Sequence, residues 1–215
     1  MQKFIMPNSQ TESTESKAAI EPEISNYMLR DPQFVGYPSS EIQETIYEAV
    51  ITDIKVGATI LDVGCGRGDF GYYATMQPRL YIGFDQNDLM IKIGNKKYPD
   101  LDISTHQLKE YSSNPDNIKH QYNNIVSILA LDVDYGGLSD PSKYLIDHIN
   151  QLLLLNGDLY TIIIPNTNND IQLQYNLGDL ISYLNTEQLN KGIKYAIDAS
   201  FDVEIVKILI IKNLS

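Results

Sequence analysis

One acid and three alternating glycines stand at the end of an apolar run in Ile60-Leu61-Asp62-Val63-Gly64-Cys65-Gly66-Arg67-Gly68. The run reads as a buried strand, the glycines as a tight turn, and Phe70, Tyr73 and Ala74 as the inner side of a short helix. Such a turn presents backbone N–H groups and a helix start to a ligand, with no side chain blocking close approach. Two further polar groups follow apolar runs in the same way: Asp85-Gln86-Asn87-Asp88 after Leu80 to Phe84, and Asp132-Val133-Asp134-Tyr135 after Asn124 to Leu131. One cysteine and three scattered histidines (His106, His120, His148) form no zinc pattern. The histidines are most simply read as having no special role, His148 as packing.

Bringing these residues together requires a sheet. Ser40 can cap a first helix, with Gln43 at the reciprocal capping-box position; its apolar face is Ile42, Ile46, Tyr47, Val50, Ile51 and Ile54, and Gly57 stops it. Strands are expected at Thr59 to Val63 and Leu80 to Phe84. A helix from Asp88 to Lys97 is closed by Tyr98-Pro99, a short strand is weakly patterned at Ile103 to His106, and Asn124 to Leu131 is an apolar strand. Asp140-Pro141 opens another helix, with Leu145, Ile146, Ile149, Leu152 and Leu153 as its core face; Gly157 ends it before a fifth strand, Leu159 to Ile164. Apolar strands between amphipathic helices imply an α/β fold, a doubly wound and mostly parallel sheet covered on both faces. Ligands lie at the carboxyl ends of such strands, so Gly64 to Gly68, Asp85, Gln107 and Leu131 to Tyr135 should border one crevice. The remainder is less orderly. Asn185 or Thr186 caps a helix to about Ala199, Phe201 to Ile211 is the one clear strand after it, and Asp170 to Tyr175 carries a faint strand signal.

The pattern of Asp62, Gly64, Gly66 and Gly68 resembles motif I of the class I S-adenosylmethionine (SAM) methyltransferases. Gly66-Arg67-Gly68-Asp69-Phe70-Gly71 also fits the G-x-G-x-x-G dinucleotide fingerprint, with Asp85 near the spacing of its acid. That reading leaves Asp62 and Gly64 inside a buried strand, where a charge is costly and glycine weakens pairing. The methyltransferase reading gives both a job. The resemblance implies a Rossmann-like fold in which Gly64, Cys65, Gly66 and Gly68 make room for the methionine end and ribose of SAM, while Asp62 organises the turn and the ammonium end. Gly83-Phe84-Asp85 resembles motif II, where the acid accepts both ribose hydroxyls; a short carboxylate suits a vicinal diol because it has two acceptor oxygens. Gln86 adjoins it. Met90 lies against the adenine face or is core. Gln107 falls by spacing where the family often has an aspartate accepting from the adenine amino group. Leu131 ends the fourth strand, whose end faces the methyl group in this family, which makes Asp132, Asp134 and Tyr135 the catalytic or substrate-binding candidates. A carboxylate there can take a proton from an oxygen or nitrogen nucleophile, or orient a cationic substrate. The plainer explanation is a loop whose aspartates cap the Pro141 helix. Tyr37 falls where the family often folds a lid over the pocket, and a simple chain turn explains it equally well.

The resemblance covers roughly residues 34 to 165 and extends loosely to the end. The family usually finishes with a sixth strand and an antiparallel seventh, so a single clear final strand predicts a shortened carboxyl-terminal sheet edge, or one completed by a protein partner. No N/D-P-P-Y/F/W follows the fourth strand, and no Lys-Asp-Lys-Glu order of ribose 2′-O-methyltransferases is evident. Asp132 alone establishes no catechol-type metal site, so no metal is expected. Residues 1 to 26, rich in Ser, Thr, Gln and Glu, are expected to be a flexible tail, with 27 to 215 one SAM-binding methyltransferase-like domain. Hydrophobic content of 43% and charged content of 20% are ordinary for a soluble globular protein. No apolar run approaches the roughly 18 residues that cross a bilayer, and Met1 to Gln10 lacks a secretory pattern. The lone Cys65 fits a reducing, cytoplasmic interior. Abundant Asn, Ile, Lys and Tyr without Trp point to an AT-rich coding genome, such as that of a bacteriophage or a low-GC bacterium. Net charge is −12, which repels nucleic-acid phosphates; Lys92, Lys96 and Lys97 are the nearest approach to a basic cluster and read as a solvated helix face. The expectation is SAM-dependent methyl transfer to an unidentified acceptor, a small molecule or protein before a nucleic acid, which would need a basic partner. The alternative is a non-catalytic methyltransferase-like subunit serving binding or assembly, favoured by the odd adenine site and the abbreviated carboxyl end.

Overall fold

The computed structural model describes residues 40–128, 148–149, 151–163, 195–203 and 206–213. Helix α1 (Ser40–Asp53) leads into β1 (Thr59–Val63), α2 (Asp69–Thr75), β2 (Leu80–Asp85), α3 (Asp88–Lys97) and β3 (Ile103–Thr105). Two short helices, α4 (Leu108–Ser113) and α5 (Pro115–Ile118), precede β4 (Tyr122–Ser127); β5 (Leu153–Ile163), β6 (Tyr195–Val203) and β7 (Val206–Asn213) follow. The seven strands form one sheet in the order β3-β2-β1-β4-β5-β7-β6. β1 through β5 pair in parallel, and β7 runs antiparallel to both its neighbours. The strand order reverses between β1 and β4, and the crevice for a ligand in such sheets lies at the carboxyl ends of these two strands.

Burial follows the apolar patterns. Ile60, Leu61 and Val63 of β1 and Ile125 and Val126 of β4 are all buried, as expected of central strands covered on both faces. Ile46, Val50 and Ile54 form the inner stripe of α1, where helical spacing puts them on one side. α1 starts at Ser40, and the Gln43 amide oxygen accepts from the Tyr47 hydroxyl. Arg79 donates to the carbonyls of Ile51, Ile54, Lys55 and Ala74, satisfying the open carboxyl ends of α1 and α2 together. The Tyr160 hydroxyl donates to Asp53 at 2.7 Å and ties β5 to α1.

Several expectations are corrected. Leu153 is the first residue of β5 rather than part of a helix face, and Leu152 lies in the turn before it. Gly157, which reads as a helix stop, lies with Asn156 at an irregularity inside β5: Tyr122 pairs with Leu153 but Asn124 with Asp158, and Asn156 takes a φ of 60°. Tyr195 to Ala199 is strand, not helix, and the run from Phe201 to Ile211 is divided between β6 and β7. The sheet edge is therefore not shortened. The chain supplies its own sixth and seventh strands, and the argument for a protein partner completing that edge loses its basis. The alternation of Tyr195, Ile197, Ala199, Phe201 and Val203 with Ala196, Asp198, Ser200 and Asp202 has the period of a strand. The amino-terminal tail, Tyr37, Leu131 to Tyr135, the Pro141 helix start, Asp170 to Tyr175 and the Asn185/Thr186 cap lie outside the described residues.

Candidate functional site

The turn after β1 is held by the end of β2. The N–H groups of Gly64 and Cys65 donate to the Phe84 carbonyl at 2.8 and 3.0 Å, and the Gly68 N–H closes back on the Cys65 carbonyl at 2.9 Å. Gly64, Gly66 and Gly68 have φ of 77°, 56° and 78°. This left-handed backbone costs an L side chain about 1–2 kcal/mol per residue, so the alternation of glycines is required by the turn itself.

Asp85 is the joint between the two strand ends. One carboxylate oxygen accepts the Gly66 N–H at 3.0 Å and the other the Asn87 N–H at 2.7 Å. Each oxygen keeps capacity for a further donor. Burial pushes Asp85 above the usual carboxylate range, and the two N–H groups oppose that rise. The His106 N–H donates to the Asp85 carbonyl at 3.0 Å, which adds the end of β3 to the same rim.

Behind the turn, Asp62 is only 2% exposed and accepts the Tyr81 hydroxyl at 2.7 Å. Burial pushes its pKa up to about 7; the Tyr81 hydrogen bond works against the rise and the Asp85 charge adds to it. The group is packed without slack. A methyl group at Gly83 would stand 2.7 Å from the Tyr81 oxygen and 2.9 Å from Cys65 Cβ. Burial, and then the charges of Asp62 and Asp85, push the Cys65 thiol far up, so it stays a neutral packing group rather than a nucleophile.

Met90 flanks the turn: its terminal methyl lies 3.7 Å from where a Gly66 side chain would begin. Gln86 and Gln107 are both exposed, just past the carboxyl ends of β2 and β3; Gln107 precedes α4 and its side chain makes no capping bond. Below this rim Tyr111 stacks on Phe84 at 4.4 Å and meets the His106 ring edge-on, and its hydroxyl pairs with that of Tyr122 at 2.9 Å. The structure thus gathers Asp62, Gly64, Cys65, Gly66, Gly68, Asp85 and Met90 closely, with Gln86 and Gln107 at the rim. Leu131, Asp132, Asp134 and Tyr135 lie outside the described residues.

Asn87 caps α3: its side-chain oxygen accepts the N–H groups of Leu89 and Met90. Asp88 pairs with Lys92 and accepts from Thr105. An asparagine two residues before Leu89 is a readable cap signal. Tyr81 was not legible as the partner of Asp62, because the two are joined only through strand register, Asp62 opposite Gly83. Among the described residues, no helix is long and apolar enough to cross a membrane, and no three His, Cys, Asp or Glu side chains gather as for a metal ion.

No protein-family model and no curated protein sequence matches the chain. Solved structures do. A TehB-like SAM-dependent methyltransferase from Corynebacterium glutamicum superposes with a TM-score of 0.57 at 16% identity, over 90% of this chain and 98% of that one. The fold is that of the class I SAM-dependent methyltransferases. A ribosomal protein L11 methylase from Lactobacillus delbrueckii subsp. bulgaricus gives 0.58 at 15% identity, covering 80% of each chain. Magnesium protoporphyrin IX methyltransferase from Synechocystis PCC 6803, solved with bound SAM, gives 0.53 at 14% identity over 80% of this chain and 79% of that one.

Proposed function

We propose that the chain binds SAM at the carboxyl ends of β1 and β2 and transfers its methyl group to a small molecule or a protein. The observation that carries this reading is the Asp85 carboxylate, which holds the Gly66 and Asn87 N–H groups and so fixes a glycine-rich turn beside an acceptor pair. The residues fit SAM. Positive φ at three glycines leaves bare backbone facing the rim, and the nearest side chain to Gly66 is the soft thioether of Met90. When bound, SAM supplies a methyl group already activated on a sulfonium.

The chain's residues then bind, orient and exclude water. Asp85 would accept the ribose hydroxyls with its remaining lone pairs, and Asp62 would favour the ammonium end through its charge. Met90 and Gln107 would lie against the adenine and its amino group, with Gln86 beside them at the rim. Two acids in one low-dielectric site suit a cationic ligand. Asp132, Asp134 and Tyr135 are assigned to the acceptor side, where a carboxylate would take the proton that the methylated atom loses. A net charge of −12 argues against nucleic acid as acceptor. The lone buried Cys65 is in keeping with a reducing cytoplasm. The solved methyltransferases of the same fold, one with SAM bound, support the reading. The non-catalytic alternative rested in part on an abbreviated sheet, and all seven strands are present.

Calorimetric titration with SAM and S-adenosylhomocysteine (SAH) tests the site. Wild-type protein should bind both, and Asp85→Ala should weaken SAM by about 100-fold, the equivalent of two charge-assisted hydrogen bonds. Absence of binding to the wild type would overturn the proposal.

A further inference from the structure

The glycine turn is held by α2 and α3 as well as by the end of β2. Asp69, the first residue of α2, accepts from Arg67 Nε and Nη2 at 3.1 and 2.8 Å on one oxygen. Its other oxygen accepts from Lys97 Nζ and the Tyr98 hydroxyl, both at 2.9 Å. One carboxylate therefore joins Arg67, inside the turn, to the carboxyl-terminal end of α3. The clamp has an apolar half: the Tyr98 ring stacks on Tyr72 of α2 at 5.1 Å, and Lys97 Nζ lies 4.7 Å from the Tyr98 ring centre. It also has a backbone half. Gly94 of α3 approaches the turn so closely that a Cβ there would sit 2.5 Å from the Arg67 carbonyl oxygen. Burial raises the Asp69 carboxyl, but the Lys97 hydrogen bond and the Arg67 and Lys97 charges outweigh it and hold the group below the usual range. It is ionised at neutral pH.

None of these contacts joins two strands, and Asp69 holds Arg67 while the Asp85 joint holds Gly66, the residue before it. Gly66 and Arg67 are consecutive, so the same short turn is held by one carboxylate at each side. We propose that Asp69 is a positioning residue of the SAM site, which sets cofactor affinity by locking the glycine turn against α3 through Arg67, Lys97 and Tyr98 without touching the cofactor. This rests on the SAM-binding reading above. Side chains remote from a ligand modulate its binding over a range that centres on roughly tenfold.

The test titrates SAM into the full chain as wild type, Asp69→Asn, Lys97→Met and the double variant, with a thermal melt of each and amide hydrogen exchange at Gly66. Well below the melting temperature, Asp69→Asn should raise the Kd for SAM about tenfold. Lys97→Met should raise it less, and the double variant no more than Asp69→Asn alone, because both remove one clamp. The Gly66 amide should exchange faster in Asp69→Asn. A purely structural role would lower the melting temperature and leave Kd and Gly66 exchange unchanged, and that result overturns the proposal. Should Asp69→Asn fail to fold, Lys97→Met and Tyr98→Phe each remove one clamp partner, and wild-type Kd in both overturns it. Wild-type protein that binds neither SAM nor SAH overturns the cofactor reading instead, and Gly66 exchange then still reports whether Asp69 locks the turn.

Discussion

Asp62→Asn removes a carboxyl group that titrates inside the fold and leaves a side chain of the same size, whose amide oxygen still accepts the Tyr81 hydroxyl. Burial first, then the Asp85 charge, push Asp62 up to about 7 against the lowering pull of Tyr81. In the unfolded chain an aspartate ionises near about 3.9. Between about pH 4 and pH 7 the native state therefore holds a proton that the unfolded state has released, and native stability falls as pH rises through that window. Each pH unit corresponds to about 1.4 kcal/mol, and roughly three units make the whole effect about 4 kcal/mol. That is a large share of a typical total of about 5–15 kcal/mol. The asparagine variant lacks this titration. Urea unfolding followed by circular dichroism, in steps from about pH 4.5 to pH 8, reads the difference in stability between variant and wild type across the window in which Asp62 titrates. The difference should shift in favour of the variant by about 1.4 kcal/mol per pH unit up to about pH 7 and then level off. A difference that stays constant to within about 0.5 kcal/mol refutes the reasoning, since Asp62 would then be ionised in the fold despite its burial.

The same group should link protons to cofactor. A cationic ligand favours ionised Asp62, so SAM should bind more tightly as pH rises towards about 7 and release a proton as it binds. Calorimetry near pH 6.5 in buffers of different ionisation heat reads that proton directly, and equal enthalpies in all buffers would exclude it. Gly94→Ala should drive a methyl group into the Arg67 carbonyl and Ile103. Overpacking of this kind costs about 1–3 kcal/mol and should lower Tm by roughly 3–10 °C, with weaker SAM binding as the turn shifts; an unchanged Tm contradicts the packing argument.

Local pattern determined much of this protein. The period of Ile46, Val50 and Ile54, the apolar run into Asp62, the glycine alternation and the acid at the end of β2 each express a short-range rule, and each stands where its spacing implied. The cap of α3 is Asn87, a local signal that the sequence reading passed over. What stayed hidden depends on partners far apart in the chain. Asp62 acquires its raised pKa only because folding buries it, against the pull of the Tyr81 hydroxyl that register lays across it, and Asp69 becomes a clamp only because α3 brings Lys97 and Tyr98 back to the turn. Gly157 looks like a helix stop until β4 pairs with β5 on both sides of it. β6 and β7 merge into one apolar run until they pair with each other and β7 with β5. The sequence by itself determined where a turn for a polar ligand would form, because glycine conformation and apolar period are local properties. Only the tertiary structure decided how that turn is held and charged, because hydrogen-bond partners and desolvation come from residues that folding brings together.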